Sequence, residues 1–252
     1  MADIKRFAIK IEYDGTSYAG WQRQKNAPTV QEAIEDALFR LTKERITLFG
    51  ASRTDAGVHA LGQVAHFDSA TSIPAHKLFL ALNTVLPEDI RICASAEVAD
   101  SFHARFGAQG KKYIYRICNA VHAPAILRNT CAFVPGEIDI DAMKAAAELF
   151  VGTHDFGCAM SAGGSAKTTV RTIYSLGVIK NGSFIELHFH GNGFLYNMVR
   201  IISGTLICAG QRRLGASAIS AALFNGNREL LGFTAPAKGL TLAEVFYEAE
   251  IF

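Results

Sequence analysis

The sequence has 252 residues, of which half are apolar and 19% are charged, a balance typical of a folded globular protein and not of a disordered one. That length suits one or two domains, and no uncharged apolar run reaches the roughly 18 residues of a membrane span. The formal net charge is only +2, so composition alone does not indicate a nucleic-acid binder, although Lys111–Arg213 holds 11 basic against 6 acidic residues. Composition therefore predicts a soluble, cytoplasmic protein with no membrane association.

The first half of the chain predicts the order strand, helix, strand, strand, helix, strand. Alternating or apolar runs predict the strands, and a capping box that begins at Thr29 predicts the start of the first helix. The predicted elements are a strand over Arg6–Tyr13, a helix from Thr29 to about Lys43, strands over Ile46–Ser52 and Gln63–Asp68, a helix over Pro74–Leu86 and a strand over Ile90–Val98. An irregular segment over Arg53–Gly62 separates two of the strands. This is the order of a ferredoxin-like unit.

The second half is predicted to repeat that order. Its strongest local signal is Asn181-Gly182, a dipeptide typical of tight hairpin turns. The predicted elements are strands over Lys112–Asn119 and Cys131–Val134, a helix from Asp139 to Phe150, strands over Thr169–Lys180 and Ser183–His190, helices over Phe194–Ala209 and after Ser217, and a strand over Leu240–Glu248. We therefore predict an α+β fold of two pseudo-equivalent ferredoxin-like (βαββαβ) halves, residues 1–107 and 108–252, with mainly antiparallel sheets flanking a central cleft.

Neither the cysteines nor the histidines have the spacing of a metal site. The five cysteines are odd in number and form no CxxC pair, a pattern typical of buried thiols in a reducing compartment. The eight histidines form no HxxxH pair and no Cys/His ligand set. We expect the protein to bind no metal.

The segment Gly50–Ala60 is too polar for a core and lies between two predicted strands. Within seven residues it places the guanidinium of Arg53, the carboxylate of Asp55 and the imidazole of His59, and Gly57 permits a close backbone approach. These groups are suited to catalysis. Asp and Gly are also ordinary turn residues, so the segment on its own is better explained as a structural loop.

The string Gly-Ala-Ser-Arg-Thr-Asp-Ala-Gly-Val-His-Ala resembles the catalytic motif of the TruA-type tRNA pseudouridine synthases. Further resemblances run in order along essentially the whole chain. They lie at Ile11–Gly15, Gly20–Gln24, Phe102–Phe106, Lys111–Tyr113, Asn197–Arg200 and Gly239-Leu240.

The resemblance implies an isomerase that converts uridine to pseudouridine in the anticodon stem-loop of tRNA, at about positions 38, 39 and 40, without cofactor or metal and as a homodimer. It implies that Asp55 is the catalytic aspartate and that Arg53 helps to extrude and replace the target base. Tyr113 matches the aromatic residue that packs on the target uracil, and Leu240 matches a second substrate-binding position. Arg200 matches the basic partner of the aspartate.

The chain departs from the family pattern at Ser52, Asn197 and Ile201, which affects the expected substrate contacts and leaves the aspartate in place. Three alternatives to a tRNA-modifying isomerase are a catalytically silent RNA-binding module, a metal-assisted hydrolase and a pseudouridine synthase with another RNA target. Six basic residues are candidates for phosphate contacts: Lys111, Lys112, Arg116, Arg171, Arg212 and Arg213.

Overall fold

A computed structural model describes residues 3–164 and 166–252, and the chain forms two units. One takes in residues 3–109 together with Leu242–Phe252, and the other spans Gly110–Thr241. Both units mix helices with mainly antiparallel strands, as predicted. The domain boundary after residue 107 stays a prediction. No helix within the described residues is both long and apolar enough to cross a membrane.

The first unit has the predicted order of elements. These are β1 (Lys5–Tyr13), α1 (Val30–Thr42), β2 (Phe49–Gly50), β3 (His59–Ser69), α2 (Ala75–Asn83) and β4 (Ile90–Val98). β1 pairs antiparallel with both β3 and β4, and β2 pairs antiparallel with β3. The helix α1 begins where the capping box predicts, because Thr29 Oγ1 accepts a hydrogen bond from the backbone N–H of Glu32 at 3.3 Å.

Two predicted boundaries in the first unit are wrong. The strand predicted over Ile46–Ser52 is only two residues long, because the Leu48 backbone bonds to the side chains of Gln31 and Glu35 on α1 and the Ser52 N–H bonds to a side chain of β3. β3 begins at His59 and not at Gln63, because β1 continues past a register shift to pair Tyr13 with Ala60. The irregular segment is therefore shorter than predicted.

The second unit contains a four-stranded antiparallel sheet in the order β5-β9-β8-β7, with β6 parallel to β5. Its elements are β5 (Gly110–Cys118), β6 (Ala132–Phe133), α3 (Ile140–Glu148), β7 (Gly152–Asp155), β8 (Val170–Asn181), β9 (Phe184–Gly191), α4 (Met198–Gly210), α5 (Ala216–Asn225) and the start of β10 (Leu240–Phe246). The predicted hairpin forms, but its turn lies one residue later than predicted, at Gly182-Ser183, because Asn181 still pairs with Phe184; Gly182 has a φ of +56°.

The second unit differs from the prediction at two places. The sequence predicts no strand at Gly152–Asp155, where β7 extends the sheet beside β8. The helix α4 begins at Met198 and not at Phe194, because Asn197 has a φ of +61°, a left-handed conformation that the interior of a helix does not permit.

Candidate active site

The loop between β2 and β3 carries the candidate catalytic aspartate. The side chain of Arg53 is exposed and that of Asp55 is half-buried. A tight turn follows, in which the N–H of Val58 donates to the carbonyl of Asp55 at 3.1 Å. Gly57 has a φ of +75° in this turn, a conformation that glycine adopts without strain. Asp55 therefore stands at the start of a defined turn.

The side-chain amide of Gln63, a fully buried residue of β3, holds the start of this loop. Its Oε1 accepts a hydrogen bond from the Ser52 N–H at 3.1 Å, and its Nε2 donates to the Ser52 carbonyl at 2.7 Å. The neighbouring Ala51 N–H donates to the carbonyl of Val64 at 2.7 Å. β3 thus fixes the loop backbone directly before Arg53.

Thr54, which separates Arg53 from Asp55, is held through both its side chain and its backbone. Its Oγ1 lies 2.6 Å from the hydroxyl of Tyr13, and its carbonyl accepts from the Trp21 N–H at 3.0 Å. A Cβ on Gly20, the residue before Trp21, would lie 2.6 Å from the carbonyl oxygen of Thr54. Only glycine permits this close approach, so the two candidate catalytic residues flank a fixed point of the backbone.

The end of the loop is fixed against the turn that follows β1. The Nδ1 of the buried His59 lies 3.1 Å from the backbone nitrogen of Gly15 and 3.0 Å from Asp14 Oδ1. Burial alone would raise the pKa of Asp14, but hydrogen bonds from Thr16 and the proximity of His59 outweigh it and lower that pKa. The loop is therefore anchored at both ends.

Tyr113 lies on β5 in the second unit and is 8% exposed. Its ring meets that of Phe194 edge to face, with centroids 5.3 Å apart and planes at 85°. Phe189, its partner across the β5–β9 pair, also contacts Phe194 edge to face. Edge-to-face contacts of this kind hold aromatic rings in defined orientations, so the Tyr113 ring is fixed by its neighbours.

Arg200 lies in the first turn of α4. Its Nε donates to the carbonyl of Ala235 at 2.8 Å, and its Nη1 donates to Asn197 Oδ1 at 2.7 Å. Asn197 in turn donates to Ser161 Oγ at 3.0 Å. Asn197 is one of the departures from the family pattern, and in this chain its side chain orients the guanidinium of Arg200.

Leu240 is buried at the start of β10 and follows a single turn of 3-10 helix, Ala237–Gly239. The hydroxyl of Tyr115 donates to the carbonyl of Pro236 at 2.9 Å. A Cβ on Gly239 would lie 2.7 Å from Tyr115 Cζ, so this turn packs closely on the tyrosine. Packing on Tyr115 thus sets the position of Leu240 within its unit.

The structure places the predicted site residues in two groups. Arg53 and Asp55 share one loop of the first unit, whereas Tyr113, Arg200 and Leu240 belong to the second unit. Sequence reasoning assigned no role to the residues that hold the loop. A signal existed for several of them, because Tyr13, Asp14 and Gly15 lie in the matched segment Ile11–Gly15 and Gly20-Trp21 lies in the next one. Gln63 was predicted only as a strand residue.

Among the candidate phosphate contacts, Arg116 and Arg212 have acidic partners. Arg116 contacts Glu186 through Nε at 2.9 Å and Nη2 at 2.8 Å, and Arg212 pairs with Asp139. These pairs stabilise the second unit itself. Among the described residues, no group of three or more His, Cys, Asp or Glu side chains is arranged to hold a metal ion.

Comparison with known proteins gives extensive matches. A family model described as tRNA pseudouridine synthase matches residues 9–107 and 146–248. The tRNA pseudouridine synthase A of Ruminiclostridium cellulolyticum is 49% identical over 245 residues, covering 97% of this chain and 100% of the relative. That of Acetivibrio thermocellus is 49% identical over 244 residues with the same coverage. The tRNA pseudouridine synthase A 2 of Clostridium tetani is 49% identical and covers 95% of this chain and 97% of its own.

Proposed function

The chain belongs to the tRNA pseudouridine synthase family, and we propose that it converts uridine to pseudouridine in the anticodon stem-loop of tRNA, at about positions 38 to 40. The observation that carries the proposal is the loop of Arg53 and Asp55, which is held by Gln63 and by the contacts of Thr54. A carboxylate on so constrained a loop is suited to catalysis, because its position is set before the substrate binds.

The reaction breaks the N1–C1′ bond of uridine, turns the base and joins C5 to C1′. C5 loses its hydrogen to solvent and N1 gains a proton, so no atoms are lost on balance and no oxidant or reductant is needed. We therefore propose a reaction without cofactor or metal. Asp55 must be ionised to act, whether it attacks the sugar, attacks the base or removes a ribose proton. A nearby cation favours the ionised form.

The remaining roles follow the family motifs that these residues match. We propose that Arg53 enters the space that the target base leaves, a role that suits its exposed side chain. Tyr113 packs on the detached uracil, and Leu240 contacts the substrate. Arg200 is the basic partner of Asp55, and its hydrogen bonds to Ala235 and Asn197 orient its guanidinium.

The proposal extends to assembly and architecture. We propose that the protein is cytoplasmic and forms a homodimer. Light scattering of the purified protein gives its molar mass and so tests the homodimer. We also propose that both units are variants of the ferredoxin-like fold. In the first unit, the order of elements and the adjacency β4-β1-β3-β2 support this assignment.

Release of tritium from tRNA labelled with [5-³H]uridine tests the chemistry, because each turnover frees the C5 hydrogen. The purified protein should release tritium in the presence of EDTA and without added cofactor. Binding of tRNA without release of tritium would support the alternative of a catalytically silent RNA-binding module. Loss of activity in EDTA, or cleavage of the RNA, would support the metal-assisted hydrolase.

A further inference from the structure

A cluster of aromatic rings lies on the first unit and includes part of the matched segment Phe102–Phe106, to which the proposed reaction assigns no role. Its three outer members are Phe49, His103 and Phe106, which we call the aromatic platform. The His103 and Phe106 ring centroids are 4.4 Å apart, and those of Phe49 and His103 are 6.1 Å apart. The platform therefore offers several neighbouring ring surfaces.

A buried layer beneath supports the platform. The ring of His66, which is 3% exposed, stacks on Phe49 with centroids 5.2 Å apart and lies 4.6 Å from His103. His66 Nδ1 accepts a hydrogen bond from the Ala104 N–H at 3.2 Å. His103 Nδ1 accepts from the backbone N–H of Phe106 at 3.3 Å. These bonds hold the rings before any ligand arrives.

The platform faces solvent. Phe106 is 77% exposed and Phe49 is 48% exposed. A single exposed phenylalanine is ordinary on a protein surface. Here Phe49 and Phe106 both neighbour the His103 ring, and the three rings together form a surface suited to a flat apolar ligand.

The charge beside the platform is positive. The guanidinium of Arg105 lies 5.7 Å from the centroid of the Phe106 ring. Arg6, also nearby, is paired with Asp68. Burial and the proximity of Arg6 lower the pKa of His103, which favours the neutral form of this ring. Aromatic faces beside a cation are the arrangement by which proteins bind unpaired bases and their phosphates.

The platform is close to the catalytic loop along the chain. Phe49 lies on β2 and precedes Arg53 by four residues, so their Cα atoms are at most about 14 Å apart. We propose that the aromatic platform stacks an unpaired base of the RNA substrate, from a nucleotide near the target uridine. This inference rests on the proposed function for the identity of the ligand.

Truncation of the platform tests the inference through RNA affinity. Phe106→Ala and Phe49→Ala should each weaken binding of an anticodon stem-loop oligonucleotide roughly 5- to 150-fold, the effect of losing a stacked base. Their binding to a blunt, fully paired duplex should be unchanged. Phe224→Ala is the matched control, because Phe224 is 90% exposed on the second unit. Unchanged stem-loop affinity in both platform variants, or an equal loss in the control, would overturn the proposal.

A fluorescent variant detects the stacking itself. The chain has a single tryptophan, Trp21, which is 2% exposed, and a parallel titration of the wild type measures its contribution. Phe106→Trp should bind the stem-loop like the wild type, and its added emission should be quenched when a base stacks on the indole. Absence of quenching at saturating RNA would contradict the proposal.

The two proposals fail in different ways. If the wild type releases tritium from tRNA while Phe106→Ala and Phe49→Ala bind the stem-loop normally, the platform is wrong and the reaction stands. If the platform variants lose stem-loop affinity but the wild type releases no tritium, the platform stands and the reaction is wrong. A wild type that does not bind the stem-loop contradicts both proposals.

Discussion

Gln63 and Ser52 exchange two hydrogen bonds, in which the buried amide of Gln63 both accepts from the backbone N–H of Ser52 and donates to its carbonyl. These two bonds come from the Gln63 side chain, where a regular sheet would have bonds from the backbone of β3. As a result, the chain leaves the sheet one residue before Arg53 while its polar groups remain satisfied. The loop of Asp55 is therefore positioned from the interior of the protein.

Replacing Gln63 with Leu should displace the loop. The change removes both hydrogen bonds between Gln63 and the buried Ser52 backbone, which should lower the free energy of unfolding by roughly 2–4 kcal/mol. The rate of tritium release at saturating tRNA should fall at least about tenfold, because small displacements of a catalytic group are costly. Urea denaturation and kinetics measure the two effects. Gln109→Leu, at an exposed glutamine outside the matched segments, is the control, and a fully active Gln63→Leu would contradict the positioning role.

Replacing Asn197 with Gly should loosen Arg200 without straining the backbone, because glycine tolerates the left-handed conformation at this position. The Arg200 Nη1 then loses its acceptor, and tritium release should fall roughly tenfold, as expected for a charge-assisted hydrogen bond. Asn197→Asp keeps an acceptor and should retain activity. Equal activity of Asn197→Gly and the wild type would show that Arg200 does not need this contact.

Substitutions at Tyr113 distinguish the contribution of its aromatic face to stacking from the contribution of its side-chain volume to packing. Tyr113→Phe keeps the face and should bind tRNA and retain the fold. Tyr113→Leu keeps an apolar side chain but offers no face for uracil, so its turnover should fall by roughly 5- to 150-fold. Tyr113→Ala should lose turnover as well and also destabilise the second unit, because the residue is buried against Phe194. Thermal melting distinguishes the two effects. Wild-type turnover by Tyr113→Leu would refute stacking.

The buried His66 should make stability depend on pH. Burial, with smaller contributions from His103 and Arg6, lowers the pKa of His66 to about 4. Histidines of the unfolded chain titrate near 6.5, so that chain binds more protons between pH 6.5 and 4, and stability is lost as the pH falls through this window.

Between pH 6.5 and 5, the wild type should lose roughly 1.5 kcal/mol more unfolding free energy than His66→Asn, which keeps a hydrogen-bond acceptor but does not titrate. Urea denaturation at the two pH values gives the comparison. The same loss in both proteins would show that His66 is not the group responsible.

Local signals predicted much of the fold. The capping box at Thr29 and the hairpin signal at Asn181-Gly182 act over a few residues; the helix begins where predicted, and the turn of the hairpin lies one residue later. The strand predicted over Ile46–Ser52 was wrong for a reason that is not local. Ile46 and Leu48 are buried outside any strand, so their apolar character reports burial and not strand pairing.

The candidate site was predictable in its chemistry and not in its supports. The family motif singles out Asp55 and Arg53 as candidate catalytic residues, and their roles in the reaction stay predictions. Nothing in the local sequence shows that the amide of Gln63 turns towards Ser52, since that contact forms only when β3 lies beside the loop. The bond from Arg200 to Ala235 likewise joins residues 35 positions apart.

Mapping of pseudouridine at single-nucleotide resolution tests the central claim most directly. Unmodified tRNA transcripts are incubated with the wild type or with Asp55→Asn, in EDTA and without cofactor, and binding of tRNA by both proteins is measured in parallel. The account predicts new pseudouridine in the anticodon stem-loop with the wild type and none with Asp55→Asn, which should still bind tRNA. Appreciable conversion by Asp55→Asn, or no conversion by a wild type that binds tRNA, would contradict it.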